Sequence, residues 1–72
     1  MRTSYVYKLL NQTVDYHNRL INDMLLRRKE ELALYCYCAI LNLVRGYYEN
    51  NDISFYCYRY FINRIIKNKK GA

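Results

Sequence analysis

The stretch that decides the fold is residues 6–24, VYKLLNQTVDYHNRLINDM. Its apolar stripe recurs at steps of three and four residues, which is the spacing of one face of an α-helix. The stripe consists of Val6, Leu10, Val14, His17, Ile21 and Met24. Polar residues fill most positions between them. The segment is therefore predicted to form an amphipathic helix of roughly 23 to 25 residues that is capped at Thr3 or Ser4.

A second helix is predicted from about Glu31 to Tyr48. It contains the longest apolar run in the chain, residues 32–44 (LALYCYCAILNLV). Because this segment is apolar nearly all round, it is predicted to be the central and most buried helix. Its main stripe is Leu34, Tyr37, Leu41, Val44 and Tyr48, with Ala33, Ile40 and Tyr47 beside it. Gly46 marks either a frayed part of this helix or a site where another helix crosses it closely.

Two polar segments separate the predicted helices. In residues 27–31 (RRKEE), basic residues suit the end of one helix and acidic residues the start of the next, which favours a break near Lys29 over one continuous helix. The second segment is the turn cluster at residues 49–52 (ENND), after which Asp52 or Ser54 caps a third helix that ends near Lys67. A short strand over residues 53–62 is the alternative, because that run is rich in β-forming residues.

The fold class follows from how few breaks the chain contains. There is no proline, and there are only two glycines in 72 residues, whereas a sheet of several strands needs many turns. We predict an all-α domain of three helices over residues 1–67, followed by a flexible basic tail at residues 68–72.

Composition points to association with other chains. Hydrophobic residues make up 53% of the sequence and ten residues are Tyr, more than so short a chain can bury. A homodimer or higher oligomer, a protein partner, or both are expected. Three cysteines without an apolar leader segment predict free thiols and a cytoplasmic location. The apolar run of thirteen residues is shorter than the roughly 20 that a membrane span needs, so no membrane association is expected.

No metal, cofactor or catalytic centre is predicted. The candidate ligands are Cys36, Cys38, Cys57 and His17, but zinc needs four ligands that converge tetrahedrally. Residues two apart on a helix point about 200° away from each other, so Cys36 and Cys38 cannot share a metal there. The thiols are interpreted as small buried apolar groups, and His17 as a hydrogen-bonded core or interface residue. No nucleophile–base signature or phosphate-binding loop is present, so the chain is not expected to be an enzyme.

The third segment carries the predicted binding residues. The formal charge is +6, and no acidic residue follows Asp52. Aromatic and arginine side chains alternate there, and the predicted partner-binding set is Tyr56, Tyr58, Arg59, Tyr60 and Arg64. Such residues dominate protein interfaces, and they also stack on bases and hold phosphates. The apolar excess favours a protein partner, with nucleic-acid binding through the same segment as the alternative.

The amino-acid composition of the chain resembles that of a known class of small proteins. Tyr, Asn, Ile and Lys are frequent, alanine is scarce and proline is missing, as in an AT-rich coding sequence. In this and in its length the chain resembles small early proteins of phages that infect AT-rich Gram-positive hosts, and it is similar to a staphylococcal phage inhibitor of the DNA sliding clamp. The resemblance implies a non-catalytic inhibitor that occupies a surface of a host replication or transcription protein. The chain lacks a clamp-binding peptide of the Gln-x-x-Leu-Phe type, because Gln12 is followed by Thr-Val-Asp-Tyr.

Overall fold

The protein is a bundle of three α-helices. The computed structural model describes the backbone of residues 2–71 and the side chains of residues 5–67. The helices are α1 (Arg2–Leu26), α2 (Glu30–Glu49) and α3 (Phe55–Gly71), and each packs against the other two in a body of 40 × 18 × 16 Å. No strand occurs within residues 2–71. The all-α prediction is confirmed, and the alternative strand over residues 53–62 is wrong.

The core lies along the axis where the three helices meet. It consists of ten buried apolar side chains: Val6, Leu10, Val14, Ile21, Ala33, Ile40, Val44, Ile53, Phe61 and Ile65. Four of the six residues in the predicted α1 stripe belong to it, which confirms the amphipathic interpretation of the first helix. Phe61 and Ile65 supply the face of α3 that closes the bundle.

The prediction that α2 is the most buried helix is wrong. Only Ala33, Ile40 and Val44 of α2 are fully buried, fewer than the four buried residues of α1. Val44 belongs to the predicted stripe, whereas Ala33 and Ile40 were predicted to lie beside it and are buried in place of Leu34 and Leu41. Leu34 is 54% exposed and Leu41 is half-buried. The physical reason is that a helix in a three-helix bundle has neighbours on one side only. A sequence that is apolar all round does not specify which side that will be.

The connection from α1 to α2 is a three-residue turn, so the predicted break near Lys29 is confirmed. The backbone N–H of Lys29 donates to the Met24 carbonyl (2.8 Å), and that of Arg28 donates to the Leu25 carbonyl (3.1 Å). This pair of hydrogen bonds is the Schellman arrangement that closes a helix C-terminus. Arg28 sits at its left-handed position with φ of 61°. The charged cluster at residues 27–29 thus marks the end of α1 even though it contains no glycine.

The connection from α2 to α3 uses the same device. Asp52 donates its backbone N–H to the Tyr47 carbonyl (2.9 Å), and Asn51 donates to the Tyr48 carbonyl while adopting φ of 63°. Asparagine tolerates the left-handed region better than most residues. The Ser54 side-chain oxygen then accepts from the backbone N–H of Cys57 (3.2 Å), which makes Ser54 the N-cap of α3.

The outer ends of the bundle differ from the prediction. The helix α1 begins at Arg2, so the predicted cap positions Thr3 and Ser4 lie inside its first turn. The helix α3 continues to Gly71, four residues beyond the predicted end at Lys67. The side chains of residues 68–71 and all of Ala72 lie outside the described part of the chain, so the flexibility of residues 68–72 stays a prediction.

Candidate protein-binding surface

The five predicted binding residues of α3 separate into an outer and an inner group. Tyr56, Arg59 and Tyr60 are exposed, whereas Tyr58 and Arg64 are half-buried. The helix period explains why Tyr56, Arg59 and Tyr60 share a face, since residues three and four apart lie together, and why Tyr58 does not. Arg64 is four residues after Tyr60, and it is its contacts with α1 that turn it inward. The structure therefore brings three of the predicted residues together on one surface and turns the other two toward the bundle.

The two inner residues tie α3 to its neighbours. The ring of Tyr58 stacks on Tyr48 of α2, with centroids 4.6 Å apart and planes 18° apart. The guanidinium of Arg64 donates to the side chains of Asn11 and Asp15 on α1. These contacts hold Tyr58 and Arg64 against α2 and α1 and leave both side chains half-buried. Their role in partner binding stays a prediction.

The outer group forms an aromatic surface around one arginine. The Arg59 guanidinium carbon lies 5.9 Å above the centre of the Phe55 ring, and Phe55 packs edge-on against Tyr56 at 6.4 Å. Tyr56 is 84% exposed and Phe55 is 50% exposed. Phe55 is missing from the sequence prediction, although its spacing of four residues from Arg59 is a usable signal on a helix.

One residue of α1 extends this surface. The Tyr7 ring lies parallel to Tyr60 with 6.2 Å between centroids, and it also contacts the buried Phe61 at 5.4 Å. Partial burial raises the pKa of Tyr7 above the usual 10.0, and the neighbouring Tyr60 phenol adds to the shift. Tyr7 was not predicted, because nothing in the sequence pairs the outer side of α1 with α3. We call Tyr7, Phe55, Tyr56, Arg59 and Tyr60 the α3 surface.

The thiols and His17 have local, separate surroundings. The Cys36 sulfur lies 3.8 Å from the Met24 sulfur, and the His17 Nδ1 lies 3.0 Å from the Thr13 carbonyl oxygen. Cys36 and Cys57 are half-buried, whereas Cys38 is exposed, so the interpretation of all three as buried groups is wrong for Cys38. Within the described side chains, no three His, Cys, Asp or Glu residues come close enough to hold a metal ion.

Comparisons with known proteins give the chain no relatives from which to transfer a function. It matches no protein-family model, no curated protein and no solved structure. None of the helices, over the residues described, has the length and apolar character needed to cross a membrane.

Proposed function

We propose that this protein is a non-catalytic binding protein that acts by occupying a surface of a larger protein with its α3 surface. The observation that carries the proposal is the exposed group of Phe55, Tyr56 and Arg59, which contact one another through the Phe55 ring, with the exposed Tyr60 on the same side of α3. Exposed aromatic and arginine side chains supply most of the energy of protein interfaces.

The α3 surface is held on a rigid support. Behind it, Tyr58 is stacked on Tyr48 and Arg64 is hydrogen-bonded to α1. The exposed rings sit on helices and contact each other in two pairs, Phe55 with Tyr56 and Tyr7 with Tyr60, so they lose little freedom when a partner covers them. This preorganisation favours docking of the surface as it stands.

The charge of α3 defines the chemistry of the partner. The helix contains five basic residues and no acidic residue. An acidic, partly apolar surface is therefore the complementary partner, and charge complementarity would speed its association with α3. The resemblance to phage inhibitors makes a host replication or transcription protein the partner class, with the DNA sliding clamp as the first candidate to test.

Nucleic-acid binding through the same surface is the second candidate. The exposed Tyr56 ring beside the Arg59 guanidinium is also a combination that stacks on bases and neutralises phosphates. The two candidates differ in their response to salt, because phosphate-driven affinity falls steeply as salt rises.

A matched pair of double variants tests the proposal. Tyr56→Ala with Arg59→Ala removes the centre of the α3 surface, while Tyr16→Ala with Arg19→Ala removes an exposed Tyr and Arg at the same spacing on α1. Each tagged variant is used to capture proteins from a nuclease-treated lysate of an AT-rich Gram-positive bacterium, and its affinity for the purified sliding clamp is measured.

The proposal predicts that wild type and the α1 variant capture the same replication or transcription protein and that the α3 variant loses it. The clamp titration then decides whether that protein is the clamp. If instead no protein is captured and labelled single-stranded DNA binds with a steep salt dependence that the α3 variant abolishes, nucleic-acid binding is the function and the inhibitor proposal is wrong.

A further inference from the structure

The outer face of α2 is an apolar surface that none of the side chains of residues 5–67 covers. It lies opposite the buried line of Ala33, Ile40 and Val44. Leu34 is 54% exposed and Tyr35 is 78% exposed. Together with Glu31, Cys38, Ala39 and Asn42 they line a shallow groove of about 420 Å³. No charged residue occurs in the thirteen positions from 32 to 44, a length of about 20 Å along the helix.

The charged residues at the two ends of this face have opposite signs and lie at equal distances along the sequence from Cys38. Glu31 lies seven residues before Cys38, and Arg45 lies seven residues after it. Seven residues are close to two helical turns, so all three side chains fall on one face, and all three are exposed. The face therefore carries a glutamate at its first end, is largely apolar along its length, and carries at its last end an arginine that also pairs with Glu49.

Two copies of this face are complementary to each other when their α2 helices run antiparallel. A two-fold axis through Cys38 that pairs two antiparallel α2 helices places Glu31 opposite the partner's Arg45 and Arg45 opposite the partner's Glu31. A parallel pairing would set like charges against each other. We propose that the outer face of α2 is a homodimer interface, occupied by a second copy of this chain in antiparallel orientation with Cys38 at the two-fold axis.

The distribution of charge over the chain supports the same occupant. The helix α2 contains three glutamates and one arginine, a net charge of −2, although the whole chain is +6. A dimer formed through α2 keeps the basic helix α3 of each copy away from the contact. It also leaves the α3 surface of both copies free, so this inference does not depend on the proposed function.

The existing pairing of Arg45 is compatible with this geometry. Its Nε lies 3.2 Å from the Glu49 carboxylate in an exposed pair of the i, i+4 type. Such pairs contribute little and are easily shared with a second carboxylate. Each copy can therefore present Arg45 to its partner without breaking the helix.

Light scattering at several concentrations gives the first test. The expected mass is twice the 8.9 kDa of one chain. Cys38→Lys places two cations at the axis and is expected to weaken the dimer roughly tenfold or more. Tyr16→Lys adds the same charge to the exposed face of α1 and is expected to leave the dimer intact. A mass of one chain for the wild type, or an unchanged dimer in Cys38→Lys, would overturn the proposal.

Charge exchange tests the antiparallel register. Glu31→Arg and Arg45→Glu are each expected to raise the dissociation constant, by roughly two- to tenfold, and the double variant is expected to recover most of the loss. Circular dichroism confirms that each variant is folded. If the double variant is no tighter than the single variants, the predicted register is wrong.

Oxidative crosslinking tests the position of the axis. A variant with Cys36→Ser and Cys57→Ser keeps only Cys38. The proposed two-fold axis places the Cys38 residues of the two protomers side by side, within the short range that a disulfide requires. We expect rapid formation of a covalent dimer with copper phenanthroline. The matched variant with Cys36→Ser and Cys38→Ser keeps only Cys57 and is expected to stay unlinked. Equal rates for the two variants would contradict the proposed interface.

Discussion

The guanidinium of Arg64 on α3 is hydrogen-bonded to the carboxylate of Asp15 on α1, 49 residues earlier in the chain. The same side chain reaches Asn11 and lies 5.6 Å from the centre of the Tyr60 ring. Only 23% of the Arg64 side chain is exposed. An arginine that the sequence presents as a binding residue therefore fastens the third helix to the first.

Replacing Arg64 should destabilise the protein. We expect Arg64→Ala to lower the free energy of unfolding by about 1–2 kcal/mol, because Asp15 and Asn11 lose a donor that is mostly shielded from water. Urea denaturation at fixed protein concentration measures the change. Arg59→Ala, an exposed arginine on the same helix, should change stability by less than about 0.5 kcal/mol. Equal effects of the two substitutions would contradict the assigned role of Arg64.

The buried line of α2 can be tested by comparing two adjacent residues. Ile40 is fully buried and Leu41 is half-buried. We expect Ile40→Ala to cost about 2–5 kcal/mol, since it leaves a cavity among α1, α2 and α3, and Leu41→Ala to cost clearly less. Thermal and urea unfolding show which of the two substitutions lowers the free energy of unfolding more. The reverse order would mean that α2 is rotated by one position relative to the structure described here.

The turn after α1 offers a stabilising substitution. Arg28 has φ of 61°, a conformation in which a side chain with a β-carbon is strained. Arg28→Gly should raise the free energy of unfolding by about 0.5–1 kcal/mol, and the melting temperature by several degrees. Arg27→Gly is the control and should destabilise or have no effect, because Arg27 does not adopt a positive φ.

The glycine within α2 offers a second stabilising substitution, in which a glycine is replaced instead of introduced. A β-carbon added at Gly46 would meet nothing within 4 Å, so the close helix crossing considered from the sequence does not occur. Gly46→Ala should stabilise the protein by roughly 0.5–1 kcal/mol through helix propensity alone. Calorimetry of Gly46→Ala, Arg28→Gly and the double variant should show additive gains, since the two sites are at opposite ends of α2.

The fold was predictable where the sequence pattern is asymmetric. In α1 a polar face alternates with an apolar stripe, and Leu10, Val14 and Ile21 are buried as predicted. In α2 both sides are apolar, so the sequence identified the helix but not the side that packs. Residues such as Leu34 were therefore assigned to the core although they are exposed.

The binding surface was predictable only in part, for a related reason. The helix period explains why Tyr56 and Arg59 share a face, and Phe55 could have been added on the same basis. The inward contacts of Tyr58 and Arg64 depend on partners in α2 and α1. Without knowledge of how the helices are arranged, a sequence cannot distinguish a tyrosine that binds another chain from one that stacks inside its own.

The two glycine-free turns at residues 27–29 and 50–54 have a consequence for recognition. Both are closed by backbone hydrogen bonds immediately after a helix ends, and neither leaves a length of chain that can move by itself. Induced fit by a mobile loop is therefore not available between the helices. We expect a partner that docks on residues 5–67 to meet preformed helical faces, so that altered specificity there would arise by exchanging side chains on those faces, not by changing loop length.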